Sequence, residues 1–391
     1  MFQVVVHTPD VVGERMAGPG IRAWHLAREL AKHVPVTLVA KTEPHVIPSV
    51  SEGPVRAGGT THAPPRPPGP SLTLGMTCVE HGSDAARQVL RDAAVLIGQP
   101  ARGFRKRRAA QRIVYDLFDP TVLELRELYG SHPSIRQRVH LAAEWWRLSE
   151  ALLRADLLMC AARRQREFYE RLQSGEAPWI EVPFGIDLEE VRACEKPRDN
   201  VVVWGGGLWE WLDPALAVDA IVHLNAEGVR AKLLFLGRAR PNRNLVDRRR
   251  EDRFDDLLAR GGEHVSANEN WVPYRERLAW IRAGKVAIML HRRTAEAEYS
   301  IRTRLFDAIA AATPIVATEG GFAAELVARE GLGIVVPPED RGTVVEALRK
   351  LLTDDDFHSR CVQRLETLRP AFSWDIVAQP LVAEILKWRT S

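Results

Sequence analysis

One pattern occurs twice in this chain and decides most of what it can fold into: apolar strand, glycine loop, helix, apolar strand. In the first copy, Phe2–His7 is apolar, Pro9–Gly20 holds Gly13, Gly18 and Gly20, and the span 21–33 has helical spacing at Ile21, Trp24, Leu26 and Leu30. Val36–Ala40 reads as the next strand. The second copy follows a charged stretch, 187–200, that contains Pro197: strand Val201–Trp204, Gly205 to Gly207, helix Pro214–Glu227, strand Lys232–Gly237. Such alternation implies parallel strands joined by crossover helices, hence an α/β fold. Further strands are expected at 94–98, 112–116, 157–160 and 179–183, then near 265–272, 286–290, 314–317 and 333–336. A long helix is expected over 134–155, later ones over 342–352 and 355–368, and an amphipathic segment over 373–388. With 391 residues the chain suits two or three domains. Two doubly wound, Rossmann-like parallel sheets leave an interdomain cleft at their C-terminal strand ends, where ligands bind in such sheets. The Pro- and Gly-rich stretch 44–75, centred on Ala63–Pro70, reads as a long exposed loop.

Composition narrows the function classes. Hydrophobic residues are 46% and charged residues 27%, as in soluble globular chains, and no apolar run reaches the ~20 residues that span a bilayer. The run Met1–His7 has neither a basic leader nor a cleavage site, so a cytoplasmic protein is expected. Cys78, Cys160, Cys194 and Cys361 form no CxxC pair and read as free thiols in a reducing compartment. A net charge of +3 gives no reason to expect a nucleic-acid partner. The basic run Arg102–Arg112 is either a solvated face or a contact with nucleic acid or with anionic lipid, the latter as a peripheral contact at the inner face of a membrane. The run Arg243–Arg253 is interleaved with acids and reads as a solvated face. No His/Asp/Glu cluster has metal-ligand spacing and no GxSxG occurs, so neither a metal nor a serine triad is indicated.

The segment from Ser300 to Gly321 reads as a capped helix, a buried strand and a glycine turn. Ser300 is a good N-cap. Arg302 and Arg304 then carry the wrong charge for a helix N-terminus, unless a phosphate binds there. Asp307, one turn on, can accept hydrogen bonds from sugar hydroxyls; the alternative is an Arg304–Asp307 surface pair. Gly18 and Gly20 let backbone N–H groups approach a diphosphate, although this loop is neither a GxGxxG nor a P-loop. After Gly207, Trp209 and Trp211 either seal an interdomain contact or wall a sugar or acceptor. Asp213–Pro214 fits a helix start. Asp119 reads as a helix cap and Asp116 as an acceptor-binding group or base. Trp145 and Trp146 lie on a long helix, where Trp145 can pack with Leu141, Leu148 and Leu152 and reads as core, with membrane or acceptor contact as the alternative. His7 and His291 sit at strand ends, either structural or facing the cleft.

Together, the segments Gly13–Arg22, Asp116–Pro120, Pro183–Asp187, Trp204–Trp209 and Ser300–Arg304 with Asp307 resemble the GT-B glycosyltransferases of the GT4 type, in order and over nearly the whole chain. That resemblance implies an acceptor-side domain, 1–187, to which the C-terminal helix 373–391 crosses back, and a donor-binding domain, 188–372. It implies retaining transfer from a nucleotide diphosphate sugar, as co-substrate, to a small-molecule, glycan or lipid-linked acceptor, without a metal or other cofactor. Carried over, Gly20 lies at the donor diphosphate and Asp307 at the ribose. The second acid of the family's pair falls on Tyr299, leaving Glu296 or Glu298 slightly upstream. Trp209 and Trp211 stand where the family has an Arg/Lys pair, so Arg302 and Arg304 become its replacements. Trp271 and Val272 lie in the segment that reads the base. The expected catalytic set is therefore Arg302, Arg304, Glu296 and Asp116. The expected donor-binding set is Gly18, Gly20, Gly207, Trp209, Trp271, Val272, Ser300, Thr303 and Asp307. The departures from the family pattern make a catalytically inactive binding or partner-activating subunit the alternative, and a Rossmann oxidoreductase a third.

Overall fold

A computed structural model describes residues 2–42, 76–191, 199–237 and 248–390. The proline-rich loop, Cys194, most of the charged linker and the side chains of the Arg243–Arg253 run lie outside the described residues.

Seven strands form the first sheet: β1 Val4–Val12, β2 Val36–Thr42, β3 Met76–Glu80, β4 Val95–Gly98, β5 Arg112–Asp116, β6 Leu157–Cys160 and β7 Trp179–Glu181. Their order is β3-β2-β1-β4-β5-β6-β7. Six strands form the second: β8 Asp199–Trp204, β9 Lys232–Phe235, β10 Val265–Ala267, β11 Gly284–Met289, β12 Ile315–Thr318 and β13 Gly333–Val336, in the order β10-β9-β8-β11-β12-β13. Within both sheets every described strand pairing is parallel. The two-sheet, doubly wound α/β expectation holds. The strand order reverses between β1 and β4 and again between β8 and β11, which puts a ligand crevice beyond the C-terminal ends of β1 and β8.

Three local readings change. β1 does not end at His7; it shifts register and pairs Val11 and Val12 with Lys41 and Thr42, so Pro9 sits at an irregularity where a missing N–H is tolerated. The following helix starts at Gly18, with a proline in its first turn, not at Ile21. β3 and the helix Asp84–Asp92 went unpredicted because β3 is an edge strand with only Met76 fully buried, and so lacks a continuous apolar run.

The C-terminal segment returns to the first sheet. Ile186 N–H donates to the Phe372 carbonyl at 2.7 Å and Trp374 N–H to the Ile186 carbonyl at 3.2 Å. Trp374 then stacks on His25 with ring centroids 5.0 Å apart, and Arg389 donates to the His33 carbonyl. Much of the Arg102–Arg112 run fastens the fold: Lys106 and Arg112 pair with Asp156, and Arg108 holds the carbonyls of Asp92 and Ala93. Among the described residues no helix is long and apolar enough to cross a membrane.

Candidate functional site

A cavity of about 340 Å³ opens where the end of β1 and the segments after β1, β5, β8, β9 and β10 meet Ser300–Asp307. Gly18 and Pro19 line it from the first domain; Gly207, Trp209, Trp211, Trp271 and Val272 line it from the second. The two halves touch closely here. A Cβ on Gly18 would lie 3.1 Å from the Thr303 methyl, so a side chain at 18 would require Thr303 to give by a few tenths of an ångström. Gly20 serves otherwise than expected. It is not in the cavity wall, and a Cβ there would sit 2.3 Å from the Val11 carbonyl oxygen, so its role is close packing of helix on strand.

The segment around residue 300 is two helices, not one. Ala295–Tyr299 is capped by Thr294, whose hydroxyl accepts the Ala297 N–H at 3.1 Å. Ser300 closes that helix as its C-cap instead of opening the next. The chain then extends through Arg302, and the second helix, Thr303–Ala311, begins with Arg302 at the N-cap and no side chain capping it. An uncapped N-terminus facing a cavity leaves first-turn N–H groups for an anion.

The two arginines are not equivalent. Arg302 binds Glu296 through both Nη atoms at 2.7 Å, and Glu296 is fully buried. This bidentate pair neutralises Arg302 and removes Glu296 from the cavity wall. Arg304 has no such partner. Its Nη2 donates to the Gly207 carbonyl at 3.2 Å, its guanidinium lies 5.5 Å over the Trp204 ring, and its buried Nη1 has no hydrogen-bond partner. Burial, with the like charge of Arg302, pushes the Arg304 pKa down to about 9, while Glu296 and Asp307 oppose that. A guanidinium so placed can receive an anion.

Asp307 does not pair with Arg304. It accepts from Arg277 Nε at 3.0 Å, and Arg277 also binds Glu190 at 2.9 Å and lies 3.7 Å over the Tyr274 ring. Burial works against the Arg277 charge, but Tyr274, Asp307 and Glu190 together raise its pKa. Of the rivals for the sugar contact, Glu298 pairs with Arg164 of the first domain, and Tyr299 stacks on Phe168 at 4.6 Å. Neither lines the cavity.

Two assignments at the end of β5 are exchanged. Asp116 lies outside the cavity wall, held by Arg22 Nε at 2.7 Å and Nη2 at 3.1 Å in a buried pair. Burial raises its pKa and Arg22 opposes this. Asp119 does not cap the helix Thr121–Tyr129, whose N-cap is Pro120 without a side-chain bond. It lines the cavity with Asp10 and Glu124. Burial first, then the charges of Asp10 and Asp116, raise the Asp119 pKa to about 7. Burial and Asp119 raise that of Glu124 as well. Among the described residues no group of His, Cys, Asp or Glu is placed to hold a metal ion.

This acid has a measurable signature. Between an unfolded pKa near 3.8 and a folded one near 7, the folded state holds a proton that the unfolded chain has lost. Stability therefore falls as pH rises through that window. Asp119→Asn is expected to match the wild type near pH 4 and to melt at a higher temperature than it at pH 8. Melting curves against pH check this; equal melting temperatures at both ends would contradict it.

His7 and His291 lie off the cavity wall, and burial lowers their pKa values to about 3 and about 4. Trp209 and Trp211 stack within 2° of parallel and wall the cavity. Trp145 is half-buried against the first domain's core, as expected, whereas Trp146 is 62% exposed. Reading the sequence missed Asp10, Glu124 and Arg277. Only Asp10, an acid inside the first glycine loop, carried a local signal.

Residues 199–354 match the family model of group 1 glycosyl transferases. No curated protein matches the chain by sequence. Solved structures match over the full length. Sucrose-phosphate synthase from Thermosynechococcus elongatus has a TM-score of 0.66 at 17% identity, covering 100% of both chains. WaaG, a glycosyltransferase of lipopolysaccharide biosynthesis, has 0.65 at 14%, covering 98% of this chain and 99% of its own. Anabaena HepE in complex with UDP-glucose has 0.67 at 12%, covering 99% and 100%. The resemblance read from the sequence therefore holds: the chain has the GT-B glycosyltransferase fold, and its second domain carries the group 1 glycosyl transferase match.

Proposed function

We propose that this protein is a retaining glycosyltransferase that moves a sugar from a nucleotide diphosphate sugar to an acceptor hydroxyl in the cleft. The observation that carries the reading is Arg304, buried with an unpartnered Nη1 beside an uncapped helix N-terminus. The donor diphosphate lies against Arg304, the N–H groups at Thr303 and the backbone at Gly18. As the glycosidic bond to the donor breaks, negative charge grows on the leaving phosphate. Oriented positive charge stabilises that change, and in a site shielded from water it acts strongly. Trp271 and Val272 bound the base, and Asp307, oriented by Arg277, takes the ribose hydroxyls. Asp119 and Glu124 face the acceptor from the first domain, a place Asp116 cannot take while both its oxygens are held by Arg22. HepE, a protein of the same fold, is solved with UDP-glucose, which supports a nucleotide-sugar donor.

A screen of thermal stability against UDP, GDP, dTDP and ADP tests this. A ligand of the native state at about 100 times its Kd adds ~2.7 kcal/mol of apparent stability. At least one nucleotide is expected to raise the melting temperature; no shift with any would overturn the reading. One observation favours a second reading, a non-catalytic nucleotide-binding subunit: Glu296 and Glu298 are both engaged by arginines, and neither glutamate lines the cavity. Slow hydrolysis of the matching nucleotide sugar by purified protein separates the two, since only the enzyme releases free sugar.

A further inference from the structure

Helix Ile135–Arg154 packs Leu148, Ala151 and Leu152 into the core of the first domain. Its opposite side is unusual. Ile135, Val139, Ala142, Trp146, Ser149 and Leu153 are all exposed, and they are spaced four, three, four, three and four residues apart. Ile135 is 81% exposed, Val139 64%, Trp146 62% and Leu153 54%. These are four of the eight large exposed hydrophobic residues among the described ones, gathered on one stripe. Scattered apolar residues need no explanation, but a continuous stripe marks a contact surface. The three-four spacing is that of a coiled-coil seam, and the helix's 20 residues give it a length of about 30 Å.

We propose that this stripe is the seam of an antiparallel, two-fold pairing with a second copy of this chain. The sequence of the stripe is complementary to its own reverse. A two-fold axis near Glu144 sets Ile135 against Leu153, Val139 against Ser149 and Ala142 against Trp146, so the largest side chain meets the smallest. Symmetry repeats each layer, as an isologous interface requires. The same register sets Arg136 on the flank opposite Glu150 of the second copy, twice. Parallel pairing would instead place Trp146 on Trp146 and leave Arg136 about 21 Å along the seam from Glu150. A helix lying on an anionic bilayer is rich in Lys and Arg on its polar face; here Glu144 and Glu150 stand among the arginines of that face. The inference is independent of the glycosyltransferase reading, because no residue of the stripe lines the cavity.

Sedimentation velocity of the full chain at micromolar concentrations tests it. A dimer is expected for the wild type. Val139→Glu with Trp146→Glu is expected to give a monomer whose melting temperature is that of the wild-type monomer at high dilution, because both positions are exposed. Arg136→Glu is expected to weaken dimerisation by about tenfold, since it breaks two flanking pairs, and adding Glu150→Arg is expected to restore it. A monomeric wild type overturns the proposal, as does a dimer that survives the double glutamate variant. Failure of the charge swap to rescue overturns the antiparallel register. Trp146-dependent sedimentation of a monomer with anionic phospholipid vesicles would assign the stripe to a membrane instead.

Discussion

Arg304→Ala is expected to lower kcat by about 10²-fold or more, roughly 2.7–4 kcal/mol of transition-state stabilisation, as for removal of one oriented donor from a site of developing charge. The size follows from the position. Arg302 is neutralised by Glu296 in a bidentate pair, and Arg277 by Asp307 and Glu190. Among the cavity-wall arginines, Arg302 keeps one buried, unpartnered nitrogen, Nε, but its charge is met by Glu296; Arg304 has no carboxylate partner, and its buried, unpartnered Nη1 can serve an anion. The variant is expected to fold normally, because it deletes a buried like charge beside Arg302 and breaks only one hydrogen bond, to the Gly207 carbonyl. Arg304→Lys restores charge without the planar fork, and partial recovery is expected. Steady-state transfer or donor hydrolysis measures all three proteins; wild-type turnover in Arg304→Ala would remove the residue from the mechanism.

Asp116→Ala is expected to cost about 3–5 kcal/mol of stability, the range for breaking a buried ion pair from one side. Arg22 is 1% exposed and would keep its charge with only the Pro183 carbonyl and the Phe118 ring beside it. Asp116→Asn keeps an acceptor and should cost less. Urea unfolding reads the loss, and turnover measured on the folded fraction separates this role from that of a base. A base would show intact stability and collapsed kcat; the buried pair predicts the opposite.

How far the sequence could be read depended on the range of the interactions. Alternating strands and helices are local patterns, and β1, β2, β8 and β9 were legible because their apolar runs are buried on both faces. β3 was not, since an edge strand needs no such run. The cavity wall was legible where a motif is contiguous: Gly207–Trp209, Trp271–Val272 and Ser300–Asp307 all meet there. Partner choice was not legible. Nothing near Glu296 in sequence shows that it is consumed by Arg302, or that Asp307 belongs to Arg277, thirty residues away. The exchange between Asp116 and Asp119 has the same origin: Arg22, ninety-four residues upstream, takes the first and leaves the second facing the cleft. Ser300 misled because capping propensity describes one helix start, whereas here two short helices abut and the residue ends the first.

The central claim is that Arg304 and the helix beginning at Thr303 hold the donor's diphosphate. Calorimetric titration of the nucleoside diphosphate that most raises wild-type stability, into the wild type and into Arg304→Ala, tests it most directly. The account predicts at least tenfold weaker binding to the variant, with the free variant as stable as the wild type. Equal affinity for both proteins would contradict it.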